Sequence, residues 1–147
     1  MPSKPPEIHR TSAKLQTIRH AKKCISFFSV IHPQIEIKTS EARALLGNTV
    51  KLKDAITQWG NVGGLISGIY QNDYALIGRS IKDKVAEPHR SKLIPGYDQI
   101  KESAYEAGAI GCNISGSGPA IFALSVSKET AEKVASAMEE ACNNVNI

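Results

Sequence analysis

Gly111-Cys-Asn-Ile-Ser-Gly-Ser-Gly-Pro119, running directly into Ala120-Ile-Phe-Ala-Leu124, is the stretch on which the fold turns. Two short apolar runs joined by a glycine-rich turn read as a β-hairpin. Gly116 and Gly118 let the backbone approach a ligand with no Cβ in the way, and successive N–H groups in such a turn form a concave site for an anion. Ser115 and Ser117 add hydroxyl donors. No lysine follows the glycines, so this is not the phosphate loop of P-loop proteins. Pro119 and a β-branched, aromatic run follow where a dinucleotide fold would open a helix. Standing alone, the cluster reads first as a tight turn without a ligand.

The chain becomes regular on both sides of the hairpin. Downstream, Ser127 caps a last helix with Glu129 in its first turn and Ala131, Val134, Ala135, Met138 and Cys142 on one face. Val145-Asn-Ile147 then reads as the start of a strand. Upstream, Ile100, Ala104 and Ala107 mark a helix that Gly108 ends, and Pro95-Gly96 is a turn signal. Val85 to Leu93 contains Pro88 and reads as a loop. The strongest helix carries Leu52, Ala55, Ile56, Trp59, Val62, Leu65, Ile66, Ile69 and Tyr70 at helical spacing. Gly60, Gly63, Gly64 and Gly68 lie inside it, each costing up to about 1 kcal/mol against alanine unless a neighbour packs closely there. Asn72-Asp73 break it, and Asp73 caps a short helix with Leu76 and Ile77. Thr39 or Ser40 caps another that ends at Gly47. Ile35 and Ile37 alternate with charges and predict a short extended piece. Ile25-Ser-Phe-Phe-Ser-Val-Ile31 is a strand ended by Pro33. The fold class is α+β: an antiparallel sheet with helices packed on one face and one exposed or weak edge.

At 147 residues the chain suits one domain with a real core. Its charge is unevenly spread. Residues 1–24 hold six basic residues and one acid, whereas the rest is close to neutral. That segment reads as a solvated, poorly ordered or non-native tail, and residues 25–147 as the folded domain. A basic face with stacking aromatics is missing, which argues against nucleic acid. No run reaches the roughly 20 apolar residues of a membrane span. Cys24, Cys112 and Cys142 are scattered, with neither a disulfide framework nor metal-ligand spacing, which fits a reducing cytoplasm and no metal site. Arg43 lies one helical turn after Thr39, and Arg90 lies in Glu87-Pro-His-Arg90. Arginine suits a bidentate grip on a carboxylate or phosphate. The plain alternative is two surface arginines paired with Glu41 and Glu87.

Several blocks carry a resemblance. Val30-Ile-His-Pro-Gln-Ile-Glu-Ile-Lys-Thr-Ser-Glu-Ala-Arg43 resembles the strand and helix that open the C-terminal domain of bacterial homoserine kinases. Gln58-Trp-Gly-Asn-Val62, Leu76-Ile-Gly-Arg-Ser80, Glu87-Pro-His-Arg90 and Ile94-Pro-Gly-Tyr97 are similar to later blocks of that family, in the same order. Gly111–Pro119 resembles the third signature of the wider superfamily of galactose, homoserine, mevalonate and phosphomevalonate kinases. The resemblance covers about residues 29–147.

It implies a ferredoxin-like C-terminal kinase domain. It also implies ATP- and Mg²⁺-dependent phosphorylation of the L-homoserine hydroxyl, on the way to threonine. Carried over by motif, Thr39, Arg43, Arg90 and Gly116 bind the substrate, with both arginines on its carboxylate. Ser115, Ser117 and Gly118 lie near the transferred phosphate. The family's Pro-x-x-x-Gly-Leu-Gly-Ser-Ser loop and magnesium carboxylate have no counterpart here, and the closing strand is missing. The expectation is therefore a C-terminal piece that carries no catalytic residue, binds no ATP tightly and is inactive alone. It is expected to self-associate, or to pair with a separate nucleotide-binding half. The competing reading is a stand-alone small-molecule-binding or regulatory domain.

Overall fold

A computed structural model describes the backbone of residues 14–20 and 24–147 and the side chains of 26–147. The β-branched and aromatic run becomes β2 (Cys24–Ile31), flanked in sequence by β1 (Lys14–His20). The hairpin supplies β3 (Gly111–Ile114) and β4 (Ile121–Ser125). The sheet order is β1-β2-β4-β3, with every neighbouring pair antiparallel. Phe28 lies opposite Leu124, and Ile31 opposite Ile121.

Alternation along the strands divides the side chains between two faces. Ile31, Cys112, Ile121 and Ala123 point into the main core. There they meet Tyr97, Ile100 and Ala104 of α5 (Tyr97–Glu106) and Val134, Met138, Ala141 and Cys142 of α6 (Lys128–Asn144). The buried Ser29 hydroxyl donates to the Ala131 carbonyl at 2.7 Å, so β2 is tied to α6 without an orphaned polar group. This is the antiparallel sheet with helices on one face that the pattern predicts. A smaller contact forms on the opposite face. Phe28 and Leu124 pack there with Leu65 and Ile69 of α2 (Leu52–Gln71) and Ile77 of α3 (Tyr74–Ser80).

The local signals mostly act as read. Asp73 Oδ1 accepts from the Leu76 N–H at 2.8 Å and starts α3. Ser127 Oγ accepts from the Thr130 N–H at 3.1 Å and starts α6. Gly64 and Gly68 face α3: a Cβ at Gly68 would lie 2.9 Å from Ile77 Cγ1, and one at Gly64 would collide with Ser80. At Gly60 and Gly63 the space is open.

Five expectations are corrected. The expected tail extends to residue 24, but Lys14–His20 is a strand paired residue for residue with β2. Composition cannot see the backbone groups that β2 offers to an edge strand. Residues 1–13 and 21–23 lie outside the described residues. Ile35 and Ile37 join no sheet and instead pack irregularly against the main core. Neither Thr39 nor Ser40 caps α1 (Thr39–Ala44): the cap position is Lys38, whose carbonyl accepts from Glu41 and Ala42. Val85–Leu93 is not a plain loop, because Glu87–Arg90 forms α4 and Ser91–Leu93 a 3-10 turn. Pro88 sits in the first turn of α4, where the N–H it lacks has no helical partner to lose. Val145–Ile147 is no strand. Asn146 takes φ 57°, and the Ile147 N–H returns to the Cys142 carbonyl at 3.2 Å, closing α6.

Candidate functional site

Three stretches far apart in sequence converge on the glycine turn. Gly116 has φ +62° with open space around it, so the backbone conformation demands glycine there, not crowding. Gly118 has φ +84°, and a Cβ there would make only ordinary contacts, 3.4 to 3.5 Å from Ile114, Ile94 and Ile37. Ile37 lies two residues before α1, so the chain entering α1 passes close to the turn. Ile94 follows the 3-10 turn and fixes the other side. The Gly118 N–H donates to the Ser115 carbonyl at 3.1 Å, and the Ser115 N–H to the Ala120 carbonyl at 2.8 Å. Among the described residues nothing accepts the N–H of Gly116 or Ser117. Adjacent unengaged N–H groups at a left-handed residue form a pocket for negative charge.

Arg90 closes the arrangement. Its Nη1 donates to the Gly116 carbonyl at 2.6 Å, so the Glu87-Pro-His-Arg90 helix is bonded to the turn. Arg90 Nε is buried with no hydrogen-bond partner among the described residues. The guanidinium is not paired with Glu87. Burial takes the Glu87 carboxylate inward, where it pairs with Lys101 and accepts from Tyr97 Oη at 3.0 Å. Burial, reinforced by the Glu87 charge, pushes the Tyr97 hydroxyl well above its ordinary range, so it stays a donor. Beneath the turn, burial raises the Cys112 thiol to about 12, with Lys101 opposing and Glu87 adding. Beside this polar cluster is a cleft of about 260 Å³, lined by Lys82, Lys84, Glu87, Ser91 and Lys101 among others.

The sequence-predicted residues fare differently. Arg90, Gly116 and Gly118 are brought together directly. Ser115 is exposed at the rim, and Ser117 is half-buried. Thr39 and Arg43 are exposed and four residues apart on α1, hence on one side of it. The Arg43 guanidinium has no ion pair or hydrogen bond among the described residues, and Glu41 turns to Lys38 instead, at 3.9 Å. Both arginines thus escape the carboxylates that a surface reading assigns to them. Sequence reasoning missed the Glu87–Tyr97–Lys101 cluster, because no local pattern links residues that far apart. It also missed Asn113, whose Nδ2 donates to the Ile81 carbonyl at 3.1 Å and anchors β3 to the end of α3. Among the described residues no three His, Cys, Asp or Glu side chains gather to hold a metal ion.

The family described as GHMP kinases C terminal fits residues 65–144, and the chain belongs to it. Within it the similarity is to homoserine kinases. The homoserine kinase of Chlorobium phaeovibrioides is 55% identical over 115 residues, covering 78% of this chain and 36% of that protein. That of Pyrococcus furiosus is 41% identical over 118 residues, covering 80% and 39%. The crystal structure of homoserine kinase from Cytophaga hutchinsonii superposes with a TM-score of 0.80 at 50% identity, covering 82% of this chain and 38% of that one. The chain thus spans a little over a third of the length of the curated relatives it matches. No helix among the described residues is long and apolar enough to cross a membrane.

Proposed function

We propose that this domain is the substrate-binding side of a homoserine kinase, which transfers the terminal phosphoryl group of ATP to the side-chain hydroxyl of L-homoserine, toward threonine. The observation that carries the reading is the 2.6 Å bond from Arg90 to the Gly116 carbonyl. It sets a guanidinium with unused donors beside a turn with unengaged N–H groups. Arg43 and Arg90 hold the substrate carboxylate, and Thr39 contributes a hydroxyl to the same pocket. The N–H groups of Gly116 and Ser117, with the Ser115 hydroxyl and the Gly118 backbone, receive negative charge near the transferred phosphate. Phosphoryl transfer depends on positioning and on stabilising charge, and both roles fall to groups of this kind.

The described residues offer no carboxylate set suited to Mg²⁺, so no step is assigned to a metal here. The 147 residues also contain no Gly-Leu-Gly-Ser-Ser loop to cradle ATP. The chain alone therefore binds L-homoserine without turning it over, and a nucleotide-binding half restores activity. The buried thiols of Cys112 and Cys142 suit a reducing cytoplasm. Titration calorimetry with L-homoserine tests the clamp. Arg90→Ala is expected to weaken binding about 10- to 100-fold, the value of a charge-assisted contact. An unchanged affinity sinks the assignment. Homoserine binding with no ADP release, even beside a nucleotide-binding half, favours the regulatory-domain reading.

A further inference from the structure

Opposite charges three or four residues apart along a helix pair readily. In this chain Glu41 pairs with Lys38, Lys128 with Glu132 and Lys133 with Glu129. Helix α4 breaks that habit. Glu87 and Arg90 stand at its two ends, three residues apart, yet the carboxylate goes elsewhere. One of its oxygens accepts from Tyr97 Oη at 3.0 Å and also pairs with Lys101 Nζ. Arg90 keeps a buried Nε with no hydrogen-bond partner among the described residues. A buried donor without an acceptor is costly, and folded proteins seldom leave one with a carboxylate a helical turn away.

The diversion is built from α5. Tyr97 and Lys101 are four residues apart, hence on one side of that helix. Lys101 Nζ lies 5.7 Å from the centre of the Tyr97 ring, which keeps both donors together beside Glu87. The Glu87 and Lys101 side chains are only 13 and 21% exposed, so salt and water screen the pair weakly. The backbone of α4 is held by other bonds. Asp83 Oδ1 accepts from the Val85 and Ala86 N–H groups at 2.7 and 2.8 Å, and the Ala86 carbonyl accepts from the Arg90 N–H at 3.0 Å. Without Lys101, Glu87 becomes a partly buried carboxylate that has lost its cation. Lys82 and Lys84 line the same cleft but are exposed. Arg90, on the same helix, offers a buried donor that lacks an acceptor.

We infer that Tyr97 and Lys101 are positioning residues: by drawing Glu87 away from Arg90, they leave that guanidinium open to a ligand carboxylate. The inference rests on the reading of Arg90 as a carboxylate clamp. Without the diversion, Glu87 competes with the ligand for the same donors, as a carboxylate already tethered to the helix.

Two measurements on the full chain test this. The first needs no ligand: the Arg90 Nε–H signal in heteronuclear NMR spectra, identified by its loss in Arg90→Lys. Lys101→Met, an apolar side chain of similar length, is expected to move that signal as Glu87 turns to the guanidinium. Adding Glu87→Gln is expected to return it. A signal that stays in place in Lys101→Met overturns the inference. The second measurement is L-homoserine affinity by titration calorimetry. Lys101→Met is expected to weaken binding about tenfold or more, the worth of a charge-assisted contact. Adding Glu87→Gln is expected to restore it to within about threefold of the native chain. A merely structural role predicts no such rescue, so a double variant that binds no better than Lys101→Met also overturns the inference. Tyr97→Phe removes a single hydroxyl and serves where Lys101→Met fails to fold: it should show the same rescue by Glu87→Gln on a smaller scale. A signal that moves and returns, while Arg90→Ala leaves homoserine affinity unchanged, upholds the diversion of Glu87 and sinks the clamp reading instead.

Discussion

The two long helices, α6 and α2, show apolar periodicity of the same kind and use it in opposite ways. In α6 the apolar residues Ala131, Val134, Met138, Ala141 and Cys142 are buried against the sheet. Its charges face water and pair along the helix, Glu129 with Lys133 at 2.8 Å and Lys128 with Glu132 at 3.7 Å. In α2 the only buried residue is Gly68, and most of the large apolar side chains remain exposed. α6 holds this chain together, whereas the outward side of α2 adds little to its folding. Helical spacing of apolar residues tells that a helix has an apolar side. It does not tell whether that side is met by the same chain.

The sharpest way to break this contrast is to truncate both helices. Met138→Ala, in the packed core, should cost about 2–5 kcal/mol in denaturant unfolding. Ile56→Ala on the outward side of α2 should stay within about 0.5 kcal/mol when the chain is dilute. Equal losses would mean that the outward side is covered within the chain.

A smaller effect divides α2 against itself. Gly68→Ala places a methyl 2.9 Å from Ile77 Cγ1 and 3.0 Å from the Ile77 nitrogen. It should cost about 1–3 kcal/mol, because helix backbone has to move. Gly60→Ala meets nothing and should stabilise the dilute chain by up to about 1 kcal/mol. Thermal and urea midpoints moving in opposite directions check the pair.

A further effect comes from the core side and appears only in alkali. Burial lifts Cys112 from the ordinary 9.0 to about 12. The folded state therefore keeps a proton that the unfolded chain gives up. The associated stability is complete below pH 9 and falls as pH rises from 9 toward 12. Unfolding free energies measured across that window should fall less steeply for Cys112→Ala. Parallel slopes would mean that the thiol is not held neutral by burial.

Much of the architecture is legible from neighbouring residues. Ser127 and Asp73 announce α6 and α3 because a cap is a contact across three residues. Gly116 and Gly118 announce the turn because a positive φ selects glycine directly. Long-range pairings are less visible. Lys14–His20 looks like a charged tail until β2 supplies its hydrogen bonds. Glu87 looks like a partner for Arg90 until Lys101 and Tyr97, from another helix, take its carboxylate. The candidate site was therefore half readable: its residue types show in the motifs, while the bond from Arg90 to Gly116 depends on how α4 and the turn are stacked.

The sequence by itself determined the helices, the hairpin and the chemical character of the site, since periodicity, caps and turn residues act over a few positions. Tertiary structure alone decided that β1 joins the sheet, that Arg90 closes on the glycine turn, and that the outward side of α2 is left bare. Each depends on groups distant in sequence, and which of them come within reach is set only when the whole chain has packed.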